Sequence, residues 1–216
     1  MGFISKIILA FQHGGIFMWP ILFTSFLGAA LTFERVRYMR QASSVRKEDF
    51  LNQLNQLILQ GNLERCIALC NQSQTPLTKI VRAGLMAIAS RKTVDEVQTA
   101  MDAVALREIP KIEKRTALLA LLANMGTLLG LLGTTVGMIG AFAAVATAAP
   151  SEKAAKLAAE ISEAMNCTAF GLLVAIPLLA VYGWLTSRGT EIVDDVHEAA
   201  VATLNFIISN RDKFAR

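Results

Sequence analysis

The chain has 216 residues, 54% of them hydrophobic and only 18% charged, with a mean hydropathy of +0.47. Its 21 Lys and Arg exceed 17 Asp and Glu, but the bases are interleaved with acids, which argues against a nucleic-acid surface. No phosphate-binding loop, dinucleotide glycine pattern, zinc-protease helix or Gly-x-Ser-x-Gly elbow occurs, so an ATP-driven pump or hydrolase finds no support. The chain reads as a non-enzyme with neither cofactor nor metal.

Membrane-crossing helices need about 20 apolar residues, and three stretches qualify: one from Gly14 to Phe33, one within Thr116 to Ser151 and one within Ala164 to Ser187. Residues 1–13 are expected to form an amphipathic periplasmic segment. They carry no small-residue cleavage pattern, so residues 14–34 read as a signal anchor that stays. Residues 35–115 form a cytoplasmic helical region. There Phe50, Leu51, Leu54, Leu57 and Ile58 recur at helical spacing, Gly61-Asn62 breaks the run, and short helices follow over Leu63 to Cys70 and Leu77 to Ser90. Thr93 caps the next helix, with Asp95 and Glu96 in its first turn. Pro110 is expected to interrupt it, and Lys111 to Arg115 to lead as helix into the second span, residues 116–149.

A periplasmic loop, 150–156, precedes the third span, 157–187. A C-terminal cytoplasmic helix, 188–216, carries Ile192, Val193, Val196, Ala199, Ala200, Leu204 and Ile207 on one face. No strand pattern is visible, so the fold class is all-α. Only Lys6, Lys153 and Lys156 among the basic residues lie before the first span or between the second and third. The positive-inside rule therefore puts the N-terminus outside and the middle segment and C-terminus in the cytoplasm. Cys66 and Cys70, four apart on one helix, lack the further ligands a metal needs, and neither His13 nor His197 is placed to help; they read as small core residues.

The chemistry concentrates in the second and third spans. Gly126, Gly130, Gly133, Gly137 and Gly140 are spaced four, three, four, three. At about 3.6 residues per turn they form one stripe, a surface for close helix packing in a membrane. The stripe is smoother than one partner helix would require, which predicts a ring-forming subunit. Glu163 lies at the edge of the third span. Facing lipid it would cost on the order of 2.5–3.5 kcal/mol, so it faces a cavity or partner, or is protonated. In a hairpin centred near Pro150, Thr134 lies level with Asn166 to Thr168, and Glu163 lies at the depth of Gly137. Thr134, Thr168 and Glu163 are thus the candidate proton-path residues, with Thr127 and Asn166 as candidate pore-lining residues and Pro177 as a candidate hinge. The blander alternative is that each threonine bonds its own helix carbonyl and that Glu163 is a packing residue of a non-conducting scaffold.

Three motifs carry a family resemblance: Gly15-Ile16-Phe17-Met18-Trp19-Pro20-Ile21 with Glu34-Arg35, the run from Leu128 to Phe142, and the run from Ile161 to Pro177. The chain resembles the MotA/TolQ/ExbB proton-channel family, most closely the ExbB/TolQ branch. That resemblance implies a homopentamer in the bacterial inner membrane, powered by proton-motive force. Its second and third helices would surround a dimer of a single-span ExbD/TolR-like partner, whose membrane aspartate carries protons past Thr134, Thr168 and Glu163. Work would pass to the envelope, a TonB/TolA-like protein being one further partner in view, with membrane lipids as the remaining contacts. Two departures are noted: Thr127 stands where many relatives have Pro, and Cys167 where Ala is frequent.

Overall fold

A computed structural model describes residues 14–210, which form seven helices and no strand among the described residues. The expected segment 1–13 lies outside them, as do 211–216. The helices are α1 (Met18–Ala42), α2 (Lys47–Leu59), α3 (Leu63–Asn71), α4 (Pro76–Ala89), α5 (Val94–Glu113), α6 (Thr116–Thr147) and α7 (Lys153–Ser209). They fall into two units. One holds residues up to Glu34 with Arg115–Trp184; the other holds Arg35–Lys114 with the residues from Leu185 onward.

Local chemistry accounts for the helix ends of the second unit. Asn62 accepts from the Arg65 N–H at 3.1 Å to start α3, and Thr75 with Pro76 opens α4. Thr93 and Glu96 form a reciprocal capping box at α5, with Thr93 N–H donating to Glu96 at 2.8 Å. Gly61, at φ +72°, closes α2: its N–H reaches the Ile58 carbonyl and the Asn62 N–H reaches that of Leu57. Arg91 closes α4 in the same way at φ 55°.

The core of this unit takes in the expected positions of α2, the two cysteines and part of the α7 face. Phe50, Leu54 and Ile58 meet Cys66 and Cys70, then Ile80, Val81 and Leu85, then Val97 and Met101, with Val196, Ala199 and Ile207 of α7. Lys47 donates to Asp195 at 2.8 Å and Glu198 at 2.7 Å, joining the first turn of α2 to α7; these two carboxylates raise its pKa.

Two expectations about α5 need correction. Pro110 does not interrupt the helix, which runs on to Glu113, and Lys111 to Arg115 does not continue it into the next. The break comes at Lys114, which is extended (ψ 134°), and Arg115, which is left-handed (φ 65°). The last carbonyls of α5 are thereby deprived of helical donors. Buried Arg35 supplies replacements, donating to the carbonyls of Lys111, at 3.3 Å, and Ile112, while its guanidinium lies 5.1 Å from the Tyr38 ring centre.

In the first unit α1 turns Met18, Ile21, Thr24 and Gly28 inward, Gly28 against Leu178 of α7. Glu34 receives a 2.6 Å ion pair from Arg115. Among the described residues, two helical stretches are long and apolar enough to cross a membrane: Val94–Thr147, taken across the break at Lys114-Arg115, and Lys153–Ser209. Helix α1 is not one of these, because it starts only at Met18 and meets Glu34 before about 20 apolar residues have accumulated. The third expected span and the C-terminal helix are one element, α7, which passes unbroken through Pro177.

Candidate functional site

The turn after α6 sets the register of everything that follows. Helix α6 stops at Ala148, and the Glu152 and Lys153 N–H groups both donate to the Ala149 carbonyl, at 2.9 and 3.2 Å, to begin α7. In the resulting antiparallel seam Gly140 meets Glu160, Gly137 meets Ala164, and Gly133 meets Cys167. Farther along, Gly130 meets Thr168, and Gly126 meets Gly171 and Val174. Thr134 is therefore level with Asn166 to Thr168, and Glu163 lies beside the Gly137 level.

The stripe is thus occupied within one chain, which corrects the argument that it must seek a second subunit. The reason is steric. A β-carbon at Gly137 would fall 2.8 Å from that of Ala164, one at Gly133 would overlap the Cys167 sulfur, and one at Gly171 would come 2.6 Å from the Gly126 carbonyl oxygen. The small residues serve the close approach of α6 and α7 to each other.

The hydroxyls divide into two kinds. Thr127 and Thr134 donate to carbonyls of their own helix, Ala123 at 3.2 Å and Leu131 at 2.7 Å. Thr168 instead crosses the seam and donates to the Gly130 carbonyl at 2.9 Å. Each oxygen keeps acceptor capacity. Thr134, Asn166 and Thr168 are half-buried, Thr127 is exposed beside the seam, and Pro177 is exposed on α7.

Both seam acids use space left by a glycine. Glu160 lies over Gly140, its Oε2 3.2 Å from where a β-carbon would stand. Glu163 is exposed in the single chain, and its carboxylate rests against Gly15, just before α1. Phe17 from the same lead-in reaches the Gly133 level, 3.5 Å from a β-carbon built there. Sequence reasoning missed the place of Gly15 and Phe17 at this site; their motif was visible, but nothing in its spacing ties it to α7.

The fold is thus a tight apolar hairpin of long helices, with two acids and a band of hydroxyls along its seam. The sequence profile of the MotA/TolQ/ExbB proton channel family matches residues 72–198, and the chain belongs to that family. It is 26% identical over 196 residues to a protein described as a biopolymer transport protein ExbB homolog of Methanothermobacter thermautotrophicus, covering 91% of this chain and 68% of that one. The structure of C. jejuni MotAB shares the fold, with a TM-score of 0.63 at 15% identity, over 89% of this chain and 78% of that one.

Proposed function

We propose that this chain is the ring subunit of an inner-membrane motor driven by proton-motive force, in which α1, α6 and α7 all cross the membrane. The observation that carries the reading is the exposure of Glu163 in an apolar surround, within about two turns of the hydroxyls of Thr134 and Thr168. A carboxylate so placed cannot face lipid without cost, so it faces the interior of an assembly. Large apolar side chains also stand exposed on all three helices, among them Phe26, Leu128, Val136, Ile139, Leu172 and Ile176. They give copies of the chain, and lipid, ample surface to cover.

In this reading five copies enclose a dimer of a single-span ExbD/TolR-like protein. Its membrane carboxylate supplies the station that a subunit with few membrane acids lacks, and Thr134, Thr168 and Glu163 flank its proton path. The N-terminus is periplasmic and the second unit cytoplasmic. The work delivered is transport, envelope integrity or motility. A non-conducting scaffold is the second reading, favoured by the engagement of all three hydroxyl donors with backbone carbonyls.

Glu163→Gln against Glu163→Ala separates the two. If the acid changes protonation, both variants abolish proton-driven work while native mass measurement still finds the ring and its partner. Full activity in Glu163→Gln, with loss only in Glu163→Ala, would leave a packing residue and the scaffold reading. Single cysteines at Arg91 or Asn210 should resist impermeant thiol reagents applied outside intact cells; labelling there would overturn the topology.

A further inference from the structure

We propose that Gly15 is a positioning residue for Glu163: its lack of a side chain makes the seat against which the carboxylate rests. Two independent features of the backbone point to it. Gly15 sits at φ +71°, a conformation that residues with a β-carbon adopt only under strain. A β-carbon added there would also overlap Glu163 Oε1 and stand 3.0 Å from its carboxyl carbon. The same lead-in continues through Phe17 to the Gly133–Cys167 level and places Met18 in the core at the start of α1. The seat is therefore anchored on its C-terminal side by Phe17 and Met18.

What yields is the acid. Glu163 Oε1 ends a flexible, exposed side chain, so a methyl group at position 15 leaves the hairpin standing and swings the carboxylate off its place. The effect is specific to chain length. Glu163→Asp puts the carboxyl carbon where glutamate has Cγ, 3.4 Å from the added β-carbon, which relieves the overlap with the carboxylate. The inference rests on the proton-path reading for its functional consequence, but not for its geometry.

The test has a chemical arm and a functional arm. Native membranes carrying the full-length chain are treated with a membrane-soluble carbodiimide, which attacks protonated carboxyl groups, and the label on Glu163 is followed by peptide mass. Gly15→Ala raises the labelling rate, whereas Gly183→Ala, whose added methyl group meets nothing, leaves it unchanged. Equal rates in all three proteins overturn the seat. In the functional arm, Gly15→Ala lowers proton-driven work by about tenfold or more, as misplacing a reacting group does. Added to Glu163→Asp it costs less than in the parent chain, only the backbone strain at φ +71° remaining, and an undiminished loss in the double variant overturns the proposal. Full activity in Glu163→Gln would remove the proton-path reading alone, because the labelling comparison still reports on the seat.

Discussion

Thr168 Oγ1 donates a 2.9 Å hydrogen bond to the carbonyl of Gly130, joining α7 to α6 at the level where their backbones nearly touch. The bond gives a proposed proton-path residue a second role, since the same hydroxyl holds the seam in register. The two roles predict different outcomes for different substitutions.

Thr168→Val removes the hydroxyl at nearly constant volume and should cost about 0.6–1.5 kcal/mol in seam stability. Thr168→Ser should recover most of it. Thermal unfolding in mild detergent measures the stability, and proton-driven work measures the rest. A Val variant of unchanged stability would show that the bond does not hold the seam.

The glycines should not be equally demanding. At Gly171 an added β-carbon meets the Gly126 carbonyl oxygen at 2.6 Å, backbone that cannot move aside, so Gly171→Ala should separate the helices and lower the melting temperature by several degrees. At Gly126 the nearest atoms are 3.5 to 4.0 Å away, so Gly126→Ala should be tolerated. Equal melting temperatures for the two variants would contradict this packing.

Glu108 of α5 is buried and held between Lys79, at 3.1 Å, and Lys111, at 2.6 Å. Burial pushes its carboxyl pKa up, but the two ammonium groups outweigh it and hold the group below its ordinary 4.5. Its stabilisation is therefore present above that value and is lost as pH falls through the lower, folded value. Glu108→Gln should cost about 2 kcal/mol at pH 7, less than a fully buried pair because both lysines are partly exposed. It should also flatten the loss of stability on acidification, read from melting temperatures at pH 7 and below 4.5.

Burial raises the thiol pKa of Cys70 to about 12 from an ordinary 9.0, and raises that of Cys66 as well. Both should stay unlabelled by thiol reagents at pH 8 until the second unit unfolds. A raised folded value means that the stabilisation is complete below 9.0 and declines between there and about 12, as the unfolded thiol ionises first. Rapid labelling of native protein at pH 8 would contradict the packing of α3.

The hairpin register was legible because Pro150 marks its centre, so residues equidistant from the turn face each other, as Gly133 and Cys167 do. The capping box at Thr93 was equally legible, since capping acts over four residues. The end of α5 was not. Pro110 is a local breaker that the fold overrides, and the observed break depends on Arg35, far off in sequence, reaching the Lys111 and Ile112 carbonyls. The seat of Glu163 was hidden for the same reason: no periodicity links Gly15 to α7. The stripe was legible as a packing surface, but spacing reveals that a face is smooth and not which helix covers it, and here α7 of the same chain does.

Because the seam of α6 and α7 is closed within each chain, the surfaces left for other molecules are built from large apolar side chains rather than from glycine. The two kinds of face should differ in how freely they drift. Exchanges such as Leu128→Phe or Ile139→Leu leave every intrachain notch unchanged, so partner choice can diversify by trading bulk on the outside. A saturation library scored for stable subunits would then divide α6 lengthwise, with one side frozen and the other permissive.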